Sequence, residues 1–243
     1  MKEFFQKLFP NHMPADPYCT AVIAAAGSST RMGGENKLLL PLAGRPVLAH
    51  VLLALEASAR VNEIVIAARE EDMLTYADLC KSCGITKPVK VVPGGKTREE
   101  SVLRAASEAN AEARLIAVQD GARPMVTPEL IDAVIEQAKK SFAAAPAIPV
   151  HDTIKTAEGG VVTGTPDRAT LFAVQTPQVF DAQLLRAALQ SALEEGAQLT
   201  DDCSAVERIG KQVYLIEGSE ENLKITTPLD MIFAQAIMER RDS

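Results

Sequence analysis

One stretch of small residues closes on two cations: Ala24-Ala25-Ala26-Gly27-Ser28-Ser29-Thr30-Arg31-Met32-Gly33-Gly34-Glu35-Asn36-Lys37. Small side chains at Ala25, Ala26, Gly27 and Ser28 let a nucleotide come close to the backbone, whose N–H groups can bind anions. Arg31 offers a planar fork of donors for phosphate, and Lys37 a compact point charge. The segment is neither G-x-x-x-x-G-K-[ST] nor G-x-G-x-x-G, so a Walker loop and a dinucleotide fingerprint are both absent. An ordinary βα turn carrying two solvated cations is the other reading at this level. Nucleophilic chemistry finds little support: His12, His50 and His151 lack the neighbours of a triad.

Two more polar segments accompany the first. Pro93-Gly94-Gly95-Lys96-Thr97-Arg98 opens a helical pattern, and Gly95, having no Cβ, would let a ligand meet the backbone. Asp120-Gly121-Ala122-Arg123-Pro124 follows an apolar run. Asp120 could meet Mg²⁺ directly or through water, hydrogen-bond a ribose or polyol hydroxyl, or serve only the chain's turn into a helix.

The elements that must position these segments alternate in period. Strands are expected at Tyr18–Ala26, Glu63–Ala68, Val89–Val92 and Leu115–Gln119, each a short apolar or β-branched run. Helical spacing runs over Pro46–Ala59, Glu70–Cys83, Thr97–Ala111 and Pro128–Ser141, the third opening on a Thr97-x-x-Glu100 capping box. The alternation predicts an α/β fold: a Rossmann-like, open, mostly parallel sheet with helices on both faces. Right-handed crossovers put the strands' C-terminal ends on one edge, where the three polar loops meet and where such sheets bind ligands. Beyond Ala147, Pro149–Lys155 and Gly160–Thr165 read as arms of a hairpin around Glu158-Gly159-Gly160. A segment Leu171–Gln175, a helix over Ala182–Glu195, a strand at Val213–Ile216 and a helix from Pro228 complete the chain. No linker or repeat appears. Residues 1–17 read as a frayed or weakly helical extension, and residues 18–243 as a single domain with a protruding β-arm over about 149–171.

Composition excludes several classes. The 243 residues carry a net charge of −7, with 4% aromatic residues and no Trp. An acidic chain is a poor match for polyanionic DNA, and few aromatics leave little for stacking single strands. No apolar run reaches the ~18 residues of a membrane span. Cys19, Cys80, Cys83 and Cys203 have no zinc-quartet spacing, and the C-x-x-C at 80–83 lies late in a helical pattern, so it reads as structural in a reduced, cytoplasmic setting.

The motifs taken in order resemble one family. A-A-G-x-S-x-R-M followed by Asn36-Lys37 looks like the signature of nucleotidyltransferases that join a sugar or polyol phosphate to a nucleotide. Gly94-Gly95-Lys96-Thr97-Arg98-Glu99-Glu100-Ser101-Val102 resembles the G-G-x-x-R-x-x-S-V segment of 2-C-methyl-D-erythritol 4-phosphate cytidylyltransferases. Val118-Gln119-Asp120-Gly121-Ala122-Arg123-Pro124 is similar to their V-H-D-A-A-R-P. Asp152-Thr153-Ile154-Lys155 and Asp167-Arg168 match their arm, and Gln175-Thr176-Pro177-Gln178 their T-P-Q. Thr200-Asp201-Asp202 resembles T-D-E, and Asn222-Leu223-Lys224-Ile225-Thr226 resembles N-I-K-V-T. Gln119, Gly121, Lys96, Asp202 and Glu221 depart from the usual residues, and none of these departures removes a phosphate-binding cation.

The resemblance implies a nucleotide-diphospho-sugar transferase fold and Mg²⁺-dependent transfer of a cytidylyl group from CTP to 2-C-methyl-D-erythritol 4-phosphate. Ribitol 5-phosphate or another polyol phosphate is the alternative acceptor, and a non-catalytic nucleotide-binding protein the reading from another class. It assigns Arg31 and Lys37 to the triphosphate, and Lys224 to the attacking phosphate. Ala25, Ala26, Gly27, Ser28, Gly94, Gly95, Arg98, Ser101, Asp120 and Gly121 would frame the nucleotide. Asp120, Arg123, Thr153, Arg168, Thr176 and Lys224 would meet the acceptor, Arg123 alternatively serving only the fold. Asp120 is the one metal contact implied. The arm would carry Thr153 and Arg168 into a partner's site, which implies a homodimer with shared active sites.

Overall fold

The computed structural model describes residues 13–27 and 36–241. Ser28 and Arg31, and the first twelve residues of the expected extension, lie outside the described residues. Twelve strands are described: β1 Cys19–Ala25, β2 Pro41–Leu42, β3 Arg45–Pro46, β4 Glu63–Ala68, β5 Val89–Pro93, β6 Leu115–Asp120, β7 Ala143–Pro149, β8 Thr156–Glu158, β9 Val161–Gly164, β10 Phe172–Val174, β11 Gln178–Asp181 and β12 Tyr214–Glu217. The helices are α1 Val47–Ala57, α2 Met73–Ser82, α3 Arg98–Ser107, α4 Pro128–Ser141, α5 Ala182–Glu194, α6 Asp202–Arg208 and α7 Pro228–Arg241.

The main sheet runs β7-β11-β6-β1-β4-β5, with β10 and β12 also paired to β7. β1 pairs β4 and β6 in parallel, and β4 pairs β5 in parallel. β10 and β11 are the antiparallel members. Register brings the strand ends level: Ala24 faces Asp120 across one ladder and Ala67 across the other, and Ala68 faces Pro93. The three polar loops therefore leave one edge, as the crossover argument expects.

Side chains of β1 alternate between two cores. Cys19, Ala21, Ile23 and Ala25 pack with Leu48, Leu52 and Leu55 of α1 and with Ile131, Val134 and Ile135 of α4. Val22 packs on the opposite face with Val102 of α3, Leu185 and Leu189 of α5 and Val206 of α6. Helices cover both faces, and the central strands are correspondingly apolar throughout.

The structure corrects the sequence reading after residue 140. β7 is a buried sheet strand where none is expected, because its run Ala143–Pro149 is rich in alanine and carries two prolines, a poor strand signature. Residues 150–155 are not strand, so the hairpin of the arm is shorter than expected, β8 against β9. α3 ends at Ser107 rather than Ala111. Its box is half formed: Thr97 Oγ1 accepts from Glu100 N (3.2 Å), but the Glu100 carboxylate accepts from Lys96 N (2.8 Å) instead of turning back to Thr97. Within the expected extension, Met13 and Pro17 are buried, and Asp16 pairs with Arg60 at 3.1 Å.

Candidate functional site

A cavity of about 430 Å³ opens at the shared strand edge. Its wall is built from the ends of β1, β6 and α3 and from the loop before α7: Ala24–Gly27, Gly95–Arg98, Ser101, Asp120–Ala122, Lys224 and Thr226, with Lys37 and Leu38 beside them. Among these residues four are cationic (Lys37, Lys96, Arg98, Lys224) and one is acidic, Asp120. On a chain of net charge −7, that is a local reversal of sign, and low-dielectric walls concentrate the field of such a cluster on an anion.

Each cation is placed by local structure. Asn36 caps the short 3₁₀ turn Lys37–Leu39, its Oδ1 accepting from Leu38 N, while its Nδ2 donates to the buried Tyr76 hydroxyl at 2.9 Å. Lys37 leaves that turn and donates to the Ile225 carbonyl (2.8 Å). The segment bearing Lys224 is pinned from both sides: Ile225 N donates to Ala122 O at 2.8 Å, and Arg123 Nη1 donates to Asn222 O at 2.6 Å. Lys224 Nζ then lies 2.7 Å from Asp120 Oδ2. Thus cations distant in the chain meet at one carboxylate.

Asp120 is the electrostatic hub. It is buried, and burial alone would push its carboxyl up. Lys224, then Arg98 (3.4 Å) and Arg123 (3.7 Å), outweigh this and hold it below the ordinary aspartate value. Arg123 is pushed down by burial, opposed by Asp120. For Arg98, burial is opposed and overcome by Asp202 and Asp120, which raise it. Arg98 Nη2 is 2.8 Å from Asp202 Oδ2.

Gly94 and Gly95 are needed for close approach, each by a different contact. A Cβ on Gly94 would lie 2.5 Å from Ala26 Cβ, and one on Gly95 would collide with the Glu100 side chain. Gly95 N donates to Ser101 Oγ at 2.9 Å, and Ser101 Oγ donates to Thr97 O at 2.7 Å. The N-terminal end of α3 lines the cavity through Thr97, Arg98 and Ser101, and the positive end of a helix dipole favours an anion there.

The structure brings together most of the expected residues and leaves others apart. Ala25, Ala26, Gly27, Gly95, Arg98, Ser101, Asp120, Gly121, Lys37 and Lys224 line the cavity. Gly94 stands one residue behind the wall. Thr176 is buried, its Oγ1 accepting from Asp120 N at 3.1 Å, so it supports Asp120 from beneath. Arg123 likewise stands behind Asp120. Thr153 and Arg168 are exposed on the arm and do not line this chain's cavity, and Arg168 donates to His151 O at 2.8 Å. Sequence reasoning underrated Thr226, which lines the cavity and bonds Asp230. It gave Asp202 no part in the site beyond the T-D-E match, whereas Asp201 caps α6 and Asp202 turns inward to Arg98.

Among the described residues no group of three or more His, Cys, Asp or Glu is placed to hold a metal, and no helix is long and apolar enough to cross a membrane. Cys80 is buried and its thiol is pushed up to about 11, chiefly by burial, so it is a poor nucleophile.

Comparison with known proteins agrees with this geometry. Residues 19–240 match the family described as 2-C-methyl-D-erythritol 4-phosphate cytidylyltransferase. Curated relatives of that name include one from Desulforamulus reducens, 44% identical over 91% of this chain and 96% of its own, and one from Halalkalibacterium halodurans, 42% identical over 92% and 98%. Among solved structures, a 4-diphosphocytidyl-2C-methyl-D-erythritol synthase from Anaerococcus prevotii superposes with a TM-score of 0.84 at 29% identity, covering 93% of this chain and 97% of that one. A 2-C-methyl-D-erythritol 4-phosphate cytidylyltransferase from Thermus thermophilus gives 0.73 at 32%, covering 91% and 99%. With the match running from the first strand to the last helix, the chain belongs to the 2-C-methyl-D-erythritol 4-phosphate cytidylyltransferase family.

Proposed function

We propose that the cavity transfers a cytidylyl group from CTP to 2-C-methyl-D-erythritol 4-phosphate, releasing pyrophosphate, as a step in isoprenoid precursor synthesis. The observation that carries this reading is four cations against one carboxylate among the described residues of the cavity, at the strand edge of a chain that is acidic overall. Family membership supplies the identity of the two substrates.

An oxygen of the acceptor phosphate attacks the α-phosphorus of CTP, and the bond to the bridging oxygen of pyrophosphate breaks. A phosphate monoester has its second pKa near 6 and is mostly dianionic at pH 7, so the nucleophile needs no general base. The obstacle is repulsion between two polyanions. Fixed cations remove it, acting where charge builds up in the transition state. Lys37, held on the Ile225 carbonyl, faces the triphosphate and its leaving group. Lys224 holds the acceptor phosphate, with Asp120 keeping its ammonium in place. Small residues at Ala25–Gly27, Gly94 and Gly95 and the N-terminal end of α3 frame the nucleotide, and Arg31 adds a further cation to the triphosphate.

The donor set suits a Mg²⁺ ion carried mainly by triphosphate and water, since among the described residues Asp120 is the one carboxylate lining the cavity. Bound there, the ion would neutralise phosphate charge, with Asp120 as its protein contact. The arm reading is a homodimer in which Thr153 and Arg168 complete the partner's site. What supports it is that both residues stand away from this chain's cavity, on either side of a hairpin whose Val161 and Val162 are 69% and 57% exposed. A cytoplasmic location accords with four unpaired cysteines.

Pyrophosphate release tests the reading, with Mg²⁺ and CTP, the methylerythritol phosphate beside ribitol 5-phosphate, and ATP, GTP and UTP as controls. Rapid release with CTP and the methylerythritol phosphate alone is expected. Release with ribitol phosphate alone keeps the chemistry and changes the acceptor. Silence with both overturns catalysis by this cavity on polyol phosphates.

A further inference from the structure

We propose that Asp202 and Arg98 are positioning residues for the acceptor-side lysine, acting through Asp120; this rests on the cytidylyl-transfer reading above. A run of alternating charge leads from the core to the cavity. Asp202 Oδ2 stands 2.8 Å from Arg98 Nη2, and the same nitrogen is 3.4 Å from Asp120 Oδ1. The other oxygen of Asp120 is 2.7 Å from Lys224 Nζ. Asp202 is 0% exposed, while the side chains of Arg98 and Lys224 are 30% and 38% exposed. The inner end is therefore sealed and the outer end faces substrate.

Helix capping does not account for Asp202. Asp201 already caps α6, accepting from Ser204 N at 2.9 Å in a complete capping box. The Asp202 N–H is taken by Gln178 Oε1 at 3.0 Å. Its carboxylate contact with Arg98 is an ion contact without hydrogen-bond alignment, and neither oxygen has a hydrogen-bond partner among the described residues. Full burial of such a carboxylate is costly unless a cation compensates it, and what the side chain does is hold the guanidinium. Without that anchor, Arg98 is left with Asp120 alone and draws its carboxylate away from Lys224. The lysine is a point charge on a flexible four-carbon stem, so the carboxylate it meets sets its position. A displacement of about 1 Å at a reacting group can cost up to a hundredfold in rate.

The test uses the full chain with Asp202→Asn, Arg98→Gln and the double variant. Kinetics are measured against each substrate, CTP affinity by calorimetry and folding by thermal melts. Each single change is expected to lower kcat/KM for the acceptor phosphate by about ten- to hundredfold. CTP affinity is expected to stay within roughly twofold, and the double variant to lose no more than the worse single one. Asp202→Glu, which keeps the charge, is expected to recover acceptor kcat/KM toward the unsubstituted value where Asp202→Asn does not. Losses that multiply in the double variant overturn the relay. So does a fall in CTP affinity that matches the acceptor loss, which would make Arg98 a direct nucleotide ligand. Unchanged acceptor kcat/KM in folded variants overturns it as well. Should Asp202→Asn not fold, Arg98→Gln, at a partly exposed side chain, decides between acceptor and CTP effects alone. No turnover by the unsubstituted chain overturns the cytidylyl-transfer reading and the relay with it; turnover with additive losses overturns the relay only.

Discussion

Around the cavity, side chains that must carry charge are fixed from within the chain. Lys37 rests on a carbonyl 188 residues away, Lys224 on Asp120, and Arg98 on Asp202 and Asp120. On the arm, Thr153 and Arg168 are exposed, as are Val161 and Val162 of its hairpin. A pair of strands three and four residues long has little stability of its own. Val161 and Val162, exposed on opposite faces of that ribbon, leave apolar surface that a second body would bury. The cavity's charges are held from within the chain, whereas the arm, on the homodimer reading proposed above, is covered by a second copy and completes that copy's site.

The largest effect should come from the cavity. Lys37→Ala is expected to lower turnover by about 10²–10³-fold, the scale for losing one transition-state charge contact, with circular dichroism and melting unchanged. Near-normal turnover would break the cavity side of the comparison.

Next comes the arm. Val161→Lys with Val162→Lys puts two charges into the surface proposed to be covered. Sedimentation equilibrium should show self-association weakened by at least about tenfold, or ~1.4 kcal/mol, and turnover should fall with it. Unaltered mass at every concentration would mean the arm works in solvent.

Mixing Lys37→Ala with Arg168→Ala protein sharpens the contrast further. If each cavity takes Lys37 from one copy and Arg168 from the other, random exchange leaves roughly a quarter of the sites intact. That fraction of activity should return on mixing, whereas verified mixed dimers without recovery would make each site self-contained.

The smallest effect concerns acid stability. Asp120 is held below its ordinary value of 3.8. Its stabilising contribution is therefore full above that value and is lost as pH falls through the lower folded one. Urea unfolding of the chain and of Asp120→Asn should show a stability difference that is steady from pH 7 to about pH 4 and then narrows. A difference that widens in acid would contradict the cation-bound carboxylate.

Much of the fold was legible in advance. α4 begins and ends where its pattern predicts, because Thr127 caps it, Pro128 suits its first turn and Lys139 and Lys140 favour its last. β4 likewise matches residue for residue. β7 was illegible, since alanine and proline carry no strand preference and only its neighbours on both sides make it one. For the site, the loops and their edge could be read, and the family motifs named the side chains. The inward turn of Asp202 could not be read, because Asp201 and Asp202 both suit a helix start and local spacing does not say which one caps.

The order of strands and helices, the glycines at tight approaches and the supply of cations were thus determined locally, by side-chain volume, period and capping. Tertiary structure alone decided which charges meet. Lys224 joins Asp120, and Arg98 joins Asp202, because the fold brings the end of β6, the starts of α3 and α6 and the loop before α7 together from distant parts of the chain. Ion pairing depends on distance through space, which sequence separation does not encode.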